Sequence, residues 1–411
     1  MVKRRRQHKQ IQKHVQSNTA LITVSISDLS RGGAGVGRDE SGRTIFVPFT
    51  VPGDVVRVRL HRVKRRYAEG ELVELTEPSS LRVEPRCPVF GRCGGCEWQH
   101  VSYELQWQTK EAGVRESLRL AKVEVPQEWY GFPALQAWEY RNRIQLRGHG
   151  STIGFYARQS NTLVPIEHCD IVPPAINAVL KDIASHGGEM KEPYKVELAL
   201  AADGSVQRFW NAKHGAAGFR QVNDEQNAQL QTWINSSLTP VSGLLDLYGG
   251  NGNLSLPLVD MAQEIHCVDV NAPEQDTVSV PDIYHFHRSA VLPWMQKRLV
   301  AISQKELALE EQSWIALIDP PRGGLGDETE DIITALEGHN VRTVVLVGCK
   351  TDPWSRDVAH FVARGWRLHK VAVFDFFPQT SHVESVAILV DGKVDGKVAG
   401  KVTGKKRAKA L

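Results

Sequence analysis

Residues 244–258 read LLDLYGGNGNLSLPL. An apolar run typical of a buried strand is followed by three glycines, Gly249, Gly250 and Gly252, and then by a second apolar run. Glycines at this point let the backbone approach a ligand at the carboxyl end of a strand, where nucleotide-like cofactors bind in open α/β sheets. A tight turn needed only for packing is the alternative. The loop holds no Walker lysine, so we do not expect it to cradle phosphates.

The rest of residues 239–390 has the rhythm of an α/β sheet, because apolar runs alternate with helix-like segments. This pattern predicts a parallel sheet that is covered on both faces. Asp269 ends the strand IHCVD, where a carboxylate can accept hydrogen bonds from ribose hydroxyls. Asp319 follows the strand WIALI, and Pro320 and Pro321 stiffen the chain after it, so we expect its carboxylate at the ligand edge of the sheet.

Cys349 ends another of these strands, VVLVG, and should lie at the same edge. A lone cysteine is usually a small core residue, which is what we expect of Cys267. A strand end beside the cofactor cleft instead suits a nucleophile, and we expect Lys350 and Arg356 to favour its thiolate. A thiolate that adds to carbon 6 of uracil converts the ring to an enolate, which accepts a methyl group at carbon 5.

A base must then remove the proton from carbon 5 before the thiolate can leave. Glu384, in PQTSHVESVAIL, is the candidate, and His382 competes for the role. A surface glutamate without a function is the alternative.

Four of the six cysteines form a second pattern. Cys87, Cys93 and Cys96 fall within ten residues, and Cys169 lies further along the chain. Disulfides are not expected in a cytosolic chain of this size, so clustered cysteines indicate a metal. The spacing alone indicates a four-thiolate site, for which iron and zinc are both open.

The remaining sequence divides into four regions. Residues 20–78 alternate short apolar runs with Gly-rich turns, the pattern of a small OB-like β-barrel. Residues 79–238 form a mixed α+β region that holds the cysteine cluster. The ends, 1–19 and 391–411, are basic tails that we expect to be disordered, and they either attract phosphates or only aid solubility. We expect the barrel's basic residues to form one cationic edge; they are Arg57, Arg59, Arg62, Lys64, Arg65 and Arg66.

The 411 residues carry a formal net charge of only +3. No apolar run approaches the ~20 residues that span a bilayer, and the N-terminus lacks the apolar stretch of a signal peptide. We therefore expect a cytoplasmic protein without membrane association, and no obligate protein partner is evident.

These motifs resemble one family, the RNA 5-methyluridine (uracil-C5) methyltransferases that carry an N-terminal TRAM domain, including the bacterial large-subunit rRNA enzymes. The resemblance covers about residues 20–390. It rests also on CGGCEWQH at 93–100, YRNR at 140–143, GFY at 154–156 and FRQVN at 219–223. It implies a TRAM barrel, a Rossmann-like methyltransferase domain, S-adenosylmethionine as methyl donor, and RNA, in particular 23S rRNA, as substrate.

The resemblance also implies roles for individual residues. Cys349 would be the nucleophile and Glu384 the general base. The implied cofactor contacts are Gln221, Tyr248, Asn253, Asp269 and Asp319. The implied ligands of a [4Fe-4S] cluster are Cys87, Cys93, Cys96 and Cys169.

The chain departs from the family pattern at two places. Residues 348–357 read GCKTDPWSRD where the family usually has SCNPxTxxRD, so Lys350, Thr351 and Pro353 differ. Only NAPEQDTVSVP follows Asp269, where the family normally has a full helix, and we expect weaker packing of the adenine.

Two other functions fit parts of the sequence. The first is an RNA-binding protein that kept the fold but lost turnover, against which the joint presence of Cys349, Glu384, Asp319 and Gln221 argues. The second is a radical S-adenosylmethionine methylthiotransferase. Those enzymes use C-x3-C-x2-C, whereas the spacing here is C-x5-C-x2-C.

Overall fold

The computed structural model describes residues 21–212, 220–304 and 313–392. The predicted N-terminal tail, residues 393–411 of the C-terminal tail, and Phe219 of FRQVN lie outside the described residues. The chain divides into two compact units, residues 1–84 and 85–411. Within the described ranges, no helix is both long and apolar enough to cross a membrane.

The first unit is a closed five-stranded barrel, which confirms the predicted OB-like module. Around its wall the strands follow the order β1, β2, β3, β5, β4, with the bounds β1 (Leu21–Leu29), β2 (Gly35–Arg38), β3 (Thr44–Val47), β4 (Val55–Val63) and β5 (Tyr67–Glu77). Apolar residues alternate along the strands, so that Val56, Val58 and Leu60 of β4 fill the interior.

The outer face of β4 is not the cationic edge that the sequence predicted. Its three arginines each form an ion pair across to β5, with N–O distances of 2.9, 3.4 and 3.0 Å for Arg57–Glu74, Arg59–Glu71 and Arg62–Glu69. The prediction was wrong because the antiparallel register sets an acid of β5 opposite each arginine. Exposed pairs contribute only about 0–1 kcal/mol each, so their main effect is to neutralise the positive charge. The basic turn 64–66 stays exposed.

The second unit contains two sheets. Its strands are β6 (Glu128–Phe132), β7 (Arg143–His149), β8 (Thr152–Tyr156), β9 (Leu163–Pro165), β10 (Tyr194–Leu200), β11 (Val206–Trp210), β12 (Val241–Leu247), β13 (Ala262–Asp269), β14 (Tyr284–Arg288), β15 (Trp314–Ile318), β16 (Val341–Gly348), β17 (Trp366–Phe374) and β18 (Glu384–Asp391). Its helices are α1 (Tyr103–Leu120), α2 (Pro174–Ala178), α3 (Leu180–Gly187), α4 (Asp224–Ser237), α5 (Val291–Gln304), α6 (Thr329–Gly338) and α7 (Thr351–Ala363).

The smaller sheet is antiparallel, in the order β11, β10, β7, β8, β9. Alternate residues such as Ile144, Leu146, Val196 and Leu198 point to a core that α2 and α3 complete.

The larger sheet has eight strands in the order β14, β13, β12, β15, β16, β18, β17, β6. The first five are parallel, and β18 lies antiparallel between β16 and β17. All five residues of β15 are buried, as expected for a strand covered on both faces. The predicted Rossmann-like α/β fold is therefore confirmed.

Three elements of the region 79–238, namely β6, α1 and α4, pair with or pack against this larger sheet. β6 pairs in parallel with β17 at the edge, and Val114 and Leu118 of α1 join the core on one face. Leu230 and Ile234 of α4 join the core on the other face.

The connection after Asp269 is short, as the sequence predicted. Between β13 and β14 it contains one 3-10 turn, Gln275–Thr277, and no α-helix. The Gln275 side chain closes this connection onto the sheet edge, because its amide donates to the Tyr284 carbonyl (2.9 Å) and accepts from the Phe286 N–H (2.7 Å).

Candidate active site

The sheet topology brings the predicted site residues to one edge. The parallel strands β12, β13, β15 and β16 end there, and they are followed or closed by Tyr248, Asp269, Asp319 and Cys349. Because β18 runs antiparallel, its first residue, Glu384, lies at this same edge, and Ser385 pairs with Gly348 in the register of β16 and β18. Ligands of open α/β sheets bind at the carboxyl ends of the parallel strands.

The glycine loop after β12 takes a conformation that few residues tolerate. Tyr248, Gly250 and Gly252 have φ angles of 62°, 58° and 83°. A Cβ atom on Gly249 would lie 2.4 Å from Asp246 Cγ. A left-handed non-glycine residue such as Tyr248 costs about 1–3 kcal/mol and is typical of ligand-binding loops.

Hydrogen bonds between polar side chains hold this loop in place. Ser255 Oγ donates to Asp246 and lies 2.6 Å from Tyr284 Oη. The amide of Asn253 exchanges two hydrogen bonds of 2.9 Å with the amide of Asn227 on α4. Asn253, predicted to contact the cofactor, thus anchors the loop to α4.

Three carboxylates lie together beside the loop. Burial, followed by repulsion from Asp246 and Asp269, raises the pKa of Asp319 to about 7. Burial also raises the pKa of Asp246 to about 7. Asp269 accepts hydrogen bonds from the N–H groups of Gly250 (3.3 Å) and Asn271 (2.6 Å). Such a group favours a ligand that brings hydroxyl donors and positive charge.

Cys349 and Glu384 form the reactive part of the edge. Burial, together with the nearby carboxylates of Glu384 and Asp319, raises the pKa of the Cys349 thiol to about 11. Glu384 is 3% exposed, and burial together with repulsion from Asp319 raises its pKa well above the ordinary value. The structure therefore brings together a thiol and a carboxylate that are both strongly basic once deprotonated.

Arg322 is a site residue that sequence reasoning missed. Its guanidinium is the cation that lowers the pKa of both Cys349 and Glu384. Its position directly after Asp319-Pro320-Pro321 was the available signal.

Arg356, which we expected beside the thiol, contacts a loop instead, whereas the expected effect of Lys350 on the thiol stays a prediction. Arg356 donates to the Gly323 carbonyl at 2.8 Å, and Asp357 accepts from the Leu325 N–H at 2.8 Å. These contacts hold the loop that follows Arg322 against α7. Lys350 precedes α7 as its N-cap residue and makes no side-chain cap hydrogen bond.

Two other predicted residues lie near the edge. Gln221 precedes α4, and its carbonyl accepts a 2.9 Å hydrogen bond from the Asn142 side chain. His382 packs its ring against Phe377, and burial lowers its pKa. A neutral His382 could therefore accept a proton, so geometry leaves it as a competitor of Glu384.

The four clustered cysteines are neighbours in the second unit. Burial, together with the nearby thiols of Cys169, Cys93 and Cys87, raises the pKa of Cys96 to about 12. The Gly95 N–H donates to Cys93 Sγ at 3.4 Å. In the part of the chain that the structure describes, no three His, Cys, Asp or Glu side chains converge on one metal ion.

Comparison with known proteins assigns both units. Residues 20–73 match the TRAM domain, and residues 197–391 match the tRNA (Uracil-5-)-methyltransferase family. An uncharacterized RNA methyltransferase of Thermosynechococcus vestitus is 31% identical, over 90% of this chain and 98% of its own. The 23S rRNA (uracil(1939)-C(5))-methyltransferase RlmD of Halomonas elongata is 29% identical, over 89% of this chain and 88% of its own.

A solved structure shares the fold. Pyrococcus abyssi tRNA (uracil-54, C5)-methyltransferase in complex with S-adenosyl-L-homocysteine has a TM-score of 0.62 and 21% identity, over 90% of this chain and 99% of its own.

The fold and the site define a methyltransferase with a Rossmann-like α/β domain. The chain belongs to the TRAM-containing RNA uracil-5-methyltransferases. The resemblance that the sequence motifs implied is confirmed at this level.

Proposed function

We propose that this enzyme methylates carbon 5 of a uridine in 23S rRNA through a covalent bond between Cys349 and carbon 6. The observation that carries the mechanism is the pairing of Gly348 with Ser385 between β16 and β18, which brings the neighbouring residues Cys349 and Glu384 to the same place on the ligand edge. The RlmD relatives, named for 23S rRNA, support the substrate, and the TRAM match supports an RNA-binding role for residues 20–78.

The Cys349 thiolate begins the reaction by adding to carbon 6. The new carbon–sulfur bond pushes the electrons of the carbon 5–carbon 6 double bond onto the carbonyl oxygen at position 4, so carbon 5 becomes nucleophilic. S-adenosylmethionine would supply the methyl group: carbon 5 takes it up as the bond between the methyl group and the donor sulfur breaks, and S-adenosylhomocysteine leaves. We propose that Gln221, Tyr248, Asn253, Asp269 and Asp319 bind this donor, with Asn253 acting through the loop that it anchors.

Glu384 then completes the cycle by removing the proton from carbon 5. The electron pair of that carbon–hydrogen bond restores the ring double bond, the carbon–sulfur bond breaks, and Cys349 leaves as the thiolate. The raised pKa of Glu384 supports this role because it makes the carboxylate a stronger base. His382 would be the base if Glu384 were dispensable.

Release of tritium from 23S rRNA labelled at carbon 5 of uridine tests the function. We expect release that depends on S-adenosylmethionine and yields one new 5-methyluridine. Mapping of that nucleotide in rRNA from cells with and without the gene identifies the position. No release, from protein that binds the cofactor, would instead support an RNA-binding protein without turnover.

The activity should rise with pH and depend on Arg322. Because burial and nearby carboxylates hold the thiol pKa near 11, kcat/KM should rise from pH 7 to pH 9 by up to about tenfold per unit. Arg322→Met removes the cation that lowers this pKa, so we expect about a tenfold loss that stays constant from pH 7 to pH 9 and shrinks only as the pH approaches the thiol pKa. Arg322→Lys should keep most of the activity. An equal loss in Arg322→Lys and Arg322→Met would contradict this role and indicate that the guanidinium binds RNA instead.

We also propose that Cys87, Cys93, Cys96 and Cys169 hold a [4Fe-4S] cluster. The donor set fits, because four thiols lie within electrostatic reach of one another and backbone N–H groups point at them, as in iron-sulfur sites. When bound, such a cluster would cross-link residues 87–96 to Cys169.

Iron analysis tests this site. Protein purified without oxygen should contain about four iron atoms per chain. Cys96→Ser should lose iron and thermal stability, whereas Cys267→Ser, which changes a buried thiol elsewhere, should keep its iron. A fully active wild-type protein that holds zinc and no iron would contradict the cluster.

A further inference from the structure

The segment 375–383, which joins β17 to β18 and leads directly into Glu384, is held mainly by other parts of the chain. Its own contacts include a weak turn hydrogen bond from the Thr380 N–H to the Phe377 carbonyl (3.3 Å). The Gln379 carbonyl instead accepts from the N–H groups of Glu97 (2.9 Å) and Trp98 (3.0 Å). The Tyr140 hydroxyl donates to the Pro378 carbonyl at 3.0 Å.

Lys110 of α1 holds the first part of this segment. Its ammonium group donates to Asp375 Oδ1 at 2.6 Å and to the Phe377 carbonyl at 3.0 Å. The side chains of Lys110 and Asp375 are both fully buried. The Tyr103 hydroxyl donates to the second oxygen of Asp375 at 3.0 Å. The hydrogen bonds of this carboxylate therefore fix where the segment leaves β17.

Gln106, one turn earlier on α1, holds the middle of the segment. Its amide oxygen accepts from the Gln379 N–H (2.9 Å), and its amide nitrogen donates to the Gln379 side chain (3.1 Å) and to the Trp98 carbonyl (3.0 Å). Gln379 has a φ of 68°, a conformation that a non-glycine residue keeps only when its surroundings determine it.

The buried face of α1 is polar where it meets the segment 375–383 and apolar further along. The buried stripe of α1 begins with Gln106 and Lys110 and continues with Val114 and Leu118. Apolar side chains would pack the first two turns without the desolvation that a buried amide and ammonium group require. Buried polar groups of this kind specify one arrangement of the parts that they join.

We propose that Gln106 and Lys110 are positioning residues for Glu384, and that they set its carboxylate for removal of the carbon 5 proton. The inference rests on the proposed function. The held segment leads directly into Glu384, the first residue of β18, whereas Cys349 follows β16 and is not continuous with this segment. Loss of the α1 contacts should therefore impair proton removal more than adduct formation, since a displacement of about 1 Å can cost about 100-fold in rate.

Gln106→Met tests the proposal, with Gln108→Met as the matched control on the exposed face of the same helix. The measurements are the rate at which the covalent protein–RNA adduct forms and the rate at which it decays to 5-methyluridine. For Gln106→Met we expect adduct decay to slow about 10- to 100-fold while adduct formation stays within about threefold of wild type. Gln108→Met should match wild type in both rates.

Tyr140→Phe provides a second variant that keeps its shape and loses only the hydrogen bond to Pro378. This variant should also slow adduct decay, but by a smaller factor than Gln106→Met. Equal loss of adduct formation and decay in both variants, or unchanged decay in both, would overturn the positioning role. Glu384→Gln, measured in parallel, distinguishes a failure of the proposed function from a failure of the positioning role. If Glu384→Gln does not trap adduct, Glu384 is not the base, and the positioning role falls with it.

Discussion

Cys349→Ala is expected to abolish both 5-methyluridine and the covalent protein–RNA adduct. Carbon 5 of uracil is too weak a nucleophile to take the methyl group unaided, so the enzyme has no productive route without addition at carbon 6. We expect a rate loss of about 10⁴-fold or more, typical of removing a nucleophile that acts together with its base. Denaturing gel electrophoresis with labelled RNA measures the adduct, and nucleoside analysis measures the product.

Cys267→Ala is the matched control for this substitution. Cys267 is buried inside β13 and its thiol contacts the Gly250 carbonyl at 3.9 Å, so it borders the cofactor loop without taking part in the chemistry. This variant should still form adduct. If Cys349→Ala still methylated RNA, the covalent route would be excluded and Cys349 would be a packing residue.

Glu384→Gln is expected to have the opposite effect on the adduct, which should accumulate. Glutamine matches glutamate in size but cannot take the proton from carbon 5. Addition and methyl transfer precede that step, so the RNA should remain attached to Cys349 with the methyl group already in place. Product release should fall by about 10²- to 10⁴-fold, the usual contribution of a general base.

His382→Gln is the control for the choice of base. It should form and release product at close to the wild-type rate, because burial and repulsion from Asp319 make Glu384 the more strongly perturbed group at this edge. A fully active Glu384→Gln enzyme, together with a His382→Gln enzyme that accumulates adduct, would transfer the role to His382.

The sequence predicted the fold and much of the candidate site for an identifiable reason. Strand ends are local features, and apolar runs that stop at Asp269, Asp319 and Cys349 must deliver these residues to one edge once the strands are parallel. The shortened connection after Asp269 was equally readable, because a segment of that length cannot contain a full crossover helix. The predicted roles of the individual residues stay predictions until the variants above are measured.

Tertiary structure decided what depends on register and on contacts between distant segments. The barrel's arginines meet glutamates because of the pairing of β4 and β5, which composition does not reveal. Arg322 lowers the pKa of the Cys349 thiol although the sequence pointed to Lys350 and Arg356, because charge effects follow distance through space. The contacts of Gln106 and Lys110 with residues 375–379 join positions about 270 apart in the chain. The sequence by itself determined which groups stand at the sheet edge, whereas packing determined what holds and tunes them, since burial and Coulomb interactions exist only after the chain has folded.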